Sequence, residues 1–176
     1  MIIVFAGFSG SGKTYFAKKL KEKLNCEYLN SDVIRKKLAH LNPTTHVYEN
    51  FGKGLYSPQM TKLTYEYMLK KAKEILKKEK FVIIDATFIS PVTQKMLIDS
   101  RLNYIFIWCY ASDEIIKYRL EKRKTDKKNV SDANWEIYLN QKKNFKGLII
   151  PEDRIIKFNT ESENISRIEE IIKNDN

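Results

Sequence analysis

Short apolar runs alternate along the chain with longer segments whose apolar residues recur every three or four positions. The short runs predict five strands, at residues 1–6, 27–30, 81–85, 104–110 and 154–158. Runs this apolar are typical of strands buried on both faces, as in a parallel sheet covered by helices. The pattern therefore predicts an α/β fold in three layers, with a five-stranded parallel sheet between two helical layers.

Helical periodicity fills the intervals between the strands. Helices are expected to start at or near Lys13, Ser31, Pro58, Pro91, Ser112 and Ser131, with a last helix carrying Ile165, Ile168 and Ile172. The three serines are predicted N-caps, because a serine hydroxyl can accept a hydrogen bond from a first-turn N–H. The helix at 58–79 is expected to bury Leu63, Tyr67, Ala72, Ile75 and Leu76.

The composition is that of an ordinary globular protein and predicts one domain over residues 1–176. Hydrophobic residues make up 43% of the 176 positions, and no apolar stretch approaches membrane-spanning length. Cys26 and Cys109 stand alone, without the spacing of a metal or redox site, which favours a reducing compartment. We therefore expect a cytoplasmic protein without membrane association.

A glycine-rich segment separates the first predicted strand from the first helix. It is GFSGSGKT, which matches the GxxxxGK[ST] phosphate-binding loop in its usual strand–loop–helix context. The predicted nucleotide ligands are Gly7, Ser9, Gly10, Ser11, Gly12, Lys13 and Thr14. Lys13 would meet the β- and γ-phosphates and Thr14 would bind Mg²⁺. The motif predicts ATP and Mg²⁺ as cofactors, and a glycine-rich turn without a ligand is the alternative.

The second predicted strand ends in a pair of charged residues. Asp32 and Arg35 lie three apart in the helix that follows, on one face of it. Ligands of such sheets bind at the carboxyl ends of the strands. Asp32 would accept the proton of an attacking hydroxyl, and Arg35 would hold an anionic part of the acceptor. Alternatively, Asp32 only complements the helix dipole and pairs with Arg35.

The third predicted strand ends in Asp85-Ala86-Thr87. A carboxylate at this place beside a phosphate-binding loop is the usual way to hold Mg²⁺. We expect Asp85 to bind the metal together with Thr14, and Asp85 and Thr87 to contact the substrate. No glutamate follows Asp85 to activate water, which favours transfer to a bound acceptor over hydrolysis. An aspartate that only caps the following turn is the alternative.

Positive charge is concentrated in one segment of a chain whose net charge is +10. Residues 117–128 hold seven basic and two acidic side chains, which is half of the net charge. Arg119 and Arg123 lie four apart on one helix face, where they could stabilise a migrating phosphoryl group. A polyanionic partner, a lid over ATP or a solvated basic face would each explain the segment.

The interval at 40–57 has neither helical nor strand periodicity, and loops of this length tend to be functional. It carries Tyr48, Phe51, Lys53 and Tyr56. Such a mixture can stack on bases and contact phosphates, which would suit a nucleic-acid 5′ end as partner. The same residues could instead pack on the domain as the anchor of a lid.

These motifs together resemble the P-loop kinases of the polynucleotide 5′-hydroxyl kinase and zeta-toxin group. The resemblance covers residues 1 to about 141, through GFSGSGKT at 7–14, SDVIRKKL at 31–38, TYEYMLKKAKEILKKEKFVIIDATF at 64–88 and CYASDEIIKYRLEKR at 109–123. It implies the nucleoside-kinase-like P-loop NTPase fold, with sheet order 2-3-1-4-5 and a helical lid at about 117–130.

The resemblance also implies roles for individual residues. Asp32 matches the general base, Arg35 the ligand of an acceptor phosphate, and Arg119 and Arg123 the lid arginines around ATP; with Lys13, these make the expected catalytic set. The expected activity is transfer of the γ-phosphate of ATP to a hydroxyl, with a polynucleotide 5′-OH placed first. Small-molecule hydroxyls (a sugar, nucleotide sugar or antibiotic) and a non-catalytic ATP-dependent switch are the alternatives.

Overall fold

A computed structural model describes the protein over residues 1–45, 47, 54–123 and 131–174. The strands of this part are β1 (Ile2–Ala6), β2 (Glu27–Asn30), β3 (Val82–Asp85), β4 (Tyr104–Tyr110) and β5 (Ile155–Asn159). Its helices are α1 (Lys13–Leu24), α2 (Ser31–Leu38), α3 (Pro58–Ile75), α4 (Pro91–Asp99), α5 (Asp113–Arg123), α6 (Trp135–Asn144) and α7 (Ile165–Asn174). Each strand begins and ends within one residue of its predicted run.

The five strands form one parallel sheet in the order β2-β3-β1-β4-β5. This confirms both the predicted α/β fold and the order 2-3-1-4-5. The central strand β1 is fully buried: Val4 packs on one face with α3 and α4, whereas Phe5 packs on the other with α1 and α7. The sheet therefore lies between two helical layers, and the carboxyl ends of its strands meet along one edge.

Two of the predicted N-caps are wrong, and in both places an asparagine caps the helix instead. Asn30 accepts hydrogen bonds from the N–H groups at the start of α2, so Ser31 is the first helical residue rather than the cap. Asn134 caps α6, three residues after the predicted Ser131. The hydroxyl of Ser112 does accept from the N–H of Ile115, although at 3.5 Å. Asparagine caps helices as well as serine does, so the residue type alone could not decide which of two nearby polar residues is the N-cap.

The predicted buried face of α3 is also wrong in part. Leu63 is 47% exposed, and the buried residues of α3 are Thr64, Tyr65, Met68 and Ala72. Two overlapping apolar stripes occur in this sequence, and contact with the sheet selects between them. The hydroxyl of Tyr65 accepts from the N–H of Phe88 at 3.2 Å, just beyond β3. The helix ends at Ile75, four residues before its predicted end.

A small third cluster packs against the phosphate-binding loop. Ile116 and Leu120 of α5 and Tyr138 of α6 form it, with Phe8 packed against them. The predicted lid at 117–130 is described only as far as Arg123, because residues 124–130 lie outside the described part. Within the described helices, none is both long and apolar enough to cross a membrane. Cys26 and Cys109 are buried free thiols.

Candidate active site

The loop between β1 and α1 is packed tightly against β4 and α5. Gly7 has a φ of +136°, and a Cβ there would lie 2.2 Å from the carbonyl oxygen of Cys109. Gly10 has a φ of +81°, and its Cβ would lie 2.8 Å from Cγ2 of Ile116. Both positions therefore require glycine, for the backbone angle and for space. Gly12 caps α1 in the left-handed conformation.

Lys13 begins α1 and turns its side chain back over this loop. Its Nζ donates a hydrogen bond of 2.9 Å to the carbonyl oxygen of Phe8. Burial lowers the pKa of Lys13, and the carboxylate of Asp85 partly offsets that effect. The ammonium group is therefore already partly desolvated and held at the loop, so it needs little reorganisation to meet a phosphate.

The two loop serines that we predicted as nucleotide ligands are held by other parts of the protein. The N–H of Ser9 donates to Oε1 of Gln141 at 2.9 Å, which joins the loop to α6. Ser11 is fully buried, and its carbonyl oxygen accepts from the hydroxyl of Thr160 at 2.8 Å. The Ser11 hydroxyl has no hydrogen-bond partner among the described residues. Ser9 lines the cavity described below, whereas the side chain of Ser11 is enclosed.

Thr14 and Asp85 meet where β3 ends beside the first turn of α1. Oγ1 of Thr14 donates to Oδ2 of Asp85 at 2.7 Å. No group of three His, Cys, Asp or Glu side chains suited to a metal occurs in the described part of the chain. A hydroxyl and a carboxylate beside a phosphate-binding loop nevertheless suit Mg²⁺, which binds few protein groups and completes its shell with phosphate oxygens and water. The residues present therefore fit this cation.

Two residues of β2 that sequence analysis missed orient the carboxylate of Asp85. The hydroxyl of Tyr28 donates to Oδ2 of Asp85 at 2.6 Å, and Nδ2 of Asn30 donates to the same atom at 2.8 Å. Burial and the charge of Asp85 raise the pKa of Tyr28, so its hydroxyl stays protonated as a donor. Polar residues two apart at the end of a predicted strand point to one face. That spacing could have identified both.

Asp32 is half-buried in the first turn of α2 and lines the same cavity as Lys13 and Asp85. Burial is the largest influence on its carboxyl and raises its pKa, and the charge of Asp85 raises it further. The charge of Arg35 and a hydrogen bond with Ser131 act in the opposite direction without cancelling the effect of burial. Asp32 is therefore a stronger base than a solvated aspartate.

Arg35 is buried, with 6% of its surface exposed, and it lines the cavity beside Asp32. Its Nη1 donates to Oγ1 of Thr61 at 3.0 Å and to the carbonyl oxygen of Leu55 at 3.3 Å. Its guanidinium carbon lies 5.0 Å from the centre of the Tyr56 ring. The buried Nε has no hydrogen-bond partner among the described residues. A guanidinium that lines the cavity is suited to an anionic or hydroxyl-bearing ligand.

The structure separates the two arginines of α5 that we expected to surround the phosphates together. Arg119 donates from Nη1 to Oγ1 of Thr160 at 2.8 Å and from Nη2 to the Thr160 carbonyl oxygen at 3.1 Å. A Cβ on Gly12 would lie 3.2 Å from Nη1 of Arg119, so this guanidinium lies against the loop. Arg123 instead lines the cavity. Arg123 is the last residue of α5.

Thr87 lies just beyond β3 and also lines the cavity. Its carbonyl oxygen accepts from the N–H of Gly7 at 3.1 Å, and its hydroxyl lies 3.3 Å from that of Tyr65. Thr87 therefore supports the phosphate-binding loop, in addition to lying where we expected a substrate contact.

These groups surround a cavity of about 450 Å³. One end is formed by the phosphate-binding loop with Lys13 and Thr14, and the other holds Asp32, Arg35, Tyr56, Thr61, Tyr65 and Thr93. Its size is in the range of small-molecule sites. All the predicted site residues except Gly7, Ser11 and Arg119 line this cavity.

The loop residues predicted to contact nucleic acid are described only at Tyr56. Its ring covers Arg35, and its hydroxyl donates to Oδ2 of Asp132 at 2.7 Å. The ring of Tyr56 therefore packs within the domain, and its contact with a base stays a prediction. Tyr48, Phe51 and Lys53 lie outside the described residues, as do the basic residues at 124–128.

Comparison with protein families gives one match, to a profile described as an AAA domain, over residues 2–148. No curated protein matches the sequence.

Solved structures with the same fold include several kinases. A gluconokinase from Sinorhizobium meliloti is 13% identical, with 95% of this chain and 85% of that one covered and a TM-score of 0.62. Shikimate kinase from Acinetobacter baumannii, in complex with shikimate, is 15% identical, with 99% and 93% covered and a TM-score of 0.61. Kti12 from Chaetomium thermophilum, in complex with ADP-AlF3, is 12% identical, with 99% and 98% covered and a TM-score of 0.69. At this level of identity the likeness shows the fold alone.

Proposed function

The chain belongs to the AAA domain family, and from its kinase-like fold and the geometry of its cavity we propose that it is an ATP-dependent phosphotransferase with a hydroxyl acceptor. The observation that carries the proposal is the position of Asp32, a half-buried carboxylate in the same cavity as the phosphate-binding loop. A general base must lie within reach of the hydroxyl that it deprotonates, next to the phosphate that is transferred.

The reaction that fits this arrangement is a single displacement. The acceptor oxygen forms a bond to the γ-phosphorus of ATP, the bond from that phosphorus to the β–γ bridging oxygen breaks, and ADP leaves. Asp32 takes the hydroxyl proton, and its raised pKa makes it a better acceptor for that proton. Lys13 and Arg123 bring positive charge to the cavity, where charge develops on the phosphoryl oxygens.

Mg²⁺ fits the pair formed by Thr14 and Asp85. When bound there, it would neutralise charge on the phosphates of the nucleotide. Tyr28 and Asn30 hold the carboxylate of Asp85 in one orientation through their hydrogen bonds. The protein thus keeps its metal-binding carboxylate fixed from the side of β2, which favours a defined coordination geometry.

The acceptor that the cavity supports best is a small hydroxyl compound with one anionic group. Arg35 brings a guanidinium to this end of the cavity, and a guanidinium suits a carboxylate or phosphate. Thr61, Tyr65 and Thr93 add hydroxyl groups at the same end, which suit a polar molecule. The gluconokinase and the shikimate kinase with the same fold are kinases of small molecules by their names.

A polynucleotide 5′-hydroxyl is the second candidate, as in the polynucleotide kinase and zeta-toxin group. The net charge of +10 favours it, as do Lys18 and Arg123, which also line the cavity. The packing of the Tyr56 ring on Arg35 leaves less of that ring for a base, which weighs against it.

Transfer of γ-³²P from ATP tests the proposal and ranks the two acceptor classes. The purified protein is offered, in parallel, anionic polyols, sugars, and 5′-hydroxyl DNA and RNA oligonucleotides. We expect label on at least one anionic small molecule, and loss of that label in Asp32→Asn. Label on oligonucleotides only would move the acceptor assignment to nucleic acid, and its affinity should then fall steeply with salt. ATP binding without transfer to any compound would favour the non-catalytic switch.

A further inference from the structure

Ser131 and Asp132, which precede α6, contact the part of the cavity that holds Asp32 and Arg35, here called its acceptor end. Ser131 shares a side-chain hydrogen bond with Asp32. Asp132 follows and accepts a hydrogen bond of 2.7 Å from the hydroxyl of Tyr56. Both residues line the cavity. Neither belongs to the motifs from which the site was predicted.

Asp132 is held in place by a buried ion pair. Nζ of Lys36 lies 3.2 Å from Oδ2 of Asp132, and the side chains are 0% and 5% exposed. Lys36 also donates to the carbonyl oxygen of Pro43 at 3.4 Å. Carboxylates as buried as this one require a compensating charge and hydrogen bonds, and Lys36 and Tyr56 supply them. The pair joins the segment before α6 to α2, the helix that carries Asp32 and Arg35.

Tyr56 lies between Asp132 and Arg35 and contacts both residues. Its hydroxyl is bound by Asp132, and its ring faces the guanidinium at 5.0 Å. Burial, the charge of Asp32 and the hydrogen bond to Asp132 raise the pKa of Tyr56, which keeps the hydroxyl protonated. A ring that is fixed at its far end can hold a planar guanidinium in one orientation, whereas a ring free at that end can tilt.

We infer that Ser131 and Asp132 are positioning residues for the acceptor: Ser131 orients the carboxylate of Asp32, and Asp132, through Tyr56, orients the guanidinium of Arg35. The inference rests on the proposed function, because it assigns the two oriented groups to base catalysis and acceptor binding. It predicts that removing the hydroxyl of Tyr56 or of Ser131 changes the orientation of Arg35 or Asp32, respectively, and leaves nucleotide binding intact.

Tyr56→Phe is the informative variant, since it removes only the hydroxyl, whereas Asp132→Asn would leave Lys36 buried without its counter-charge and risks misfolding. Tyr104→Phe is the matched control. Tyr104 is another buried tyrosine, but it begins β4, at the end of the sheet opposite to the site.

NMR of ¹⁵N-arginine-labelled protein saturated with Mg-ADP reports on Arg35 without any acceptor. Arg35→Lys assigns its Nε–H signal. We expect Tyr56→Phe to shift this signal and lower its heteronuclear NOE, with no change in Tyr104→Phe. Inorganic phosphate serves as the anion probe on the same samples. Its dissociation constant should rise about fivefold in Tyr56→Phe, which corresponds to the net contribution of one hydrogen bond.

Ser131→Ala tests the role of Ser131 through the NMR titration of the Asp32 carboxyl. The Asp32 signal is assigned with the Asp32→Asn variant. Among the described residues, the charges of Arg35, Asp85 and Lys13 act on this carboxyl, and none of them is changed in the variant. Loss of a donor to the charged form should move the titration to higher pH.

An unchanged Arg35 signal and phosphate affinity in Tyr56→Phe would overturn the role of Asp132. An unchanged Asp32 titration in Ser131→Ala would overturn the role of Ser131. If Arg35→Lys itself leaves phosphate affinity unchanged, the proposed binding of an acceptor anion at Arg35 fails instead. The Arg35 signal still decides whether Tyr56 positions it.

Discussion

The hydroxyl of Thr14 donates to the carboxylate of Asp85 at 2.7 Å, although the two residues lie 71 positions apart. The parallel pairing of β1 with β3 places Phe5 beside Asp85, so β3 ends next to the loop that leads into α1. Sheet topology therefore brings a helix residue and a strand-end residue into one site. This contact is the basis for expecting a divalent cation there.

Asp85→Asn should remove the contribution of Mg²⁺ to nucleotide binding. Wild-type protein is expected to bind ADP more tightly with Mg²⁺ than with EDTA, and the variant should lose that difference, by about tenfold or more. Isothermal titration of ADP under both conditions measures it. Asp99→Asn, at an exposed position of α4, is the control. An equal Mg²⁺ effect in Asp85→Asn and wild type would contradict the assignment.

Asp32→Asn should stabilise the protein at neutral pH. The pKa of Asp32 is raised in the folded state, mainly by burial. The stability that this group contributes is full below its unfolded pKa of about 3.9 and is lost as the pH rises through the folded pKa. The variant should therefore have the higher melting temperature at pH 7.

The gap between Asp32→Asn and wild type should close as the pH falls towards 4, and melting curves across that range measure it. A lower melting temperature of the variant at pH 7 would mean that ionised Asp32 stabilises the fold. The same raised pKa predicts that kcat/KM falls on acidification, because Asp32 must be deprotonated to act as the base.

Arg119 and Arg123 should differ in kinetics because they contact different parts of the site. Arg123→Ala should lower kcat by about 10² with little change in the KM for ATP, since this residue lines the cavity. Arg119→Ala should act mainly on the KM for ATP, because its contacts are to Thr160 beside Gly12. Steady-state kinetics with the acceptor labelled in the transfer experiment would show this, and equal effects of the two variants on kcat would contradict it.

Gly7→Ala should cost far more stability than Gly147→Ala. Both glycines have a positive φ, but a Cβ on Gly7 meets the carbonyl oxygen of Cys109, whereas a Cβ on Gly147 meets nothing within 4 Å. Backbone strain alone predicts about 1 kcal/mol for Gly147→Ala, and the added clash predicts about 3 kcal/mol or more for Gly7→Ala. Urea unfolding measures both. Similar losses would mean that the loop can move away from β4.

The sheet could be predicted from sequence because its strands are buried on both faces and read as apolar runs. The phosphate-binding loop, Asp32 and Asp85 could be predicted because local motifs and strand ends mark them. The direction of a side chain on a helix could not be predicted in this way. Arg119 and Arg123 share a helix face, yet only the packing of α5 decides that one meets Thr160 and the other the cavity.

Contacts between distant segments explain the remaining differences. Asp132 and Lys36 are 96 positions apart, and Asp132 lies outside every motif in the sequence. Tyrosine is a residue type that can stack on nucleic-acid bases, but the ring of Tyr56 packs on Arg35. In such cases the partner is set by the tertiary fold, and the residue type alone allows several roles.

Parallel measurement of nucleotide affinity and γ-phosphate transfer in Asp32→Asn and Lys13→Ala tests the central claim most directly. A phosphotransferase with Asp32 as its base predicts that Asp32→Asn binds ATP as wild type does but transfers no label to the acceptor. Lys13→Ala should remain folded and lose transfer as well. Label transfer by Asp32→Asn at the wild-type rate, or loss of its ATP affinity, would contradict the account.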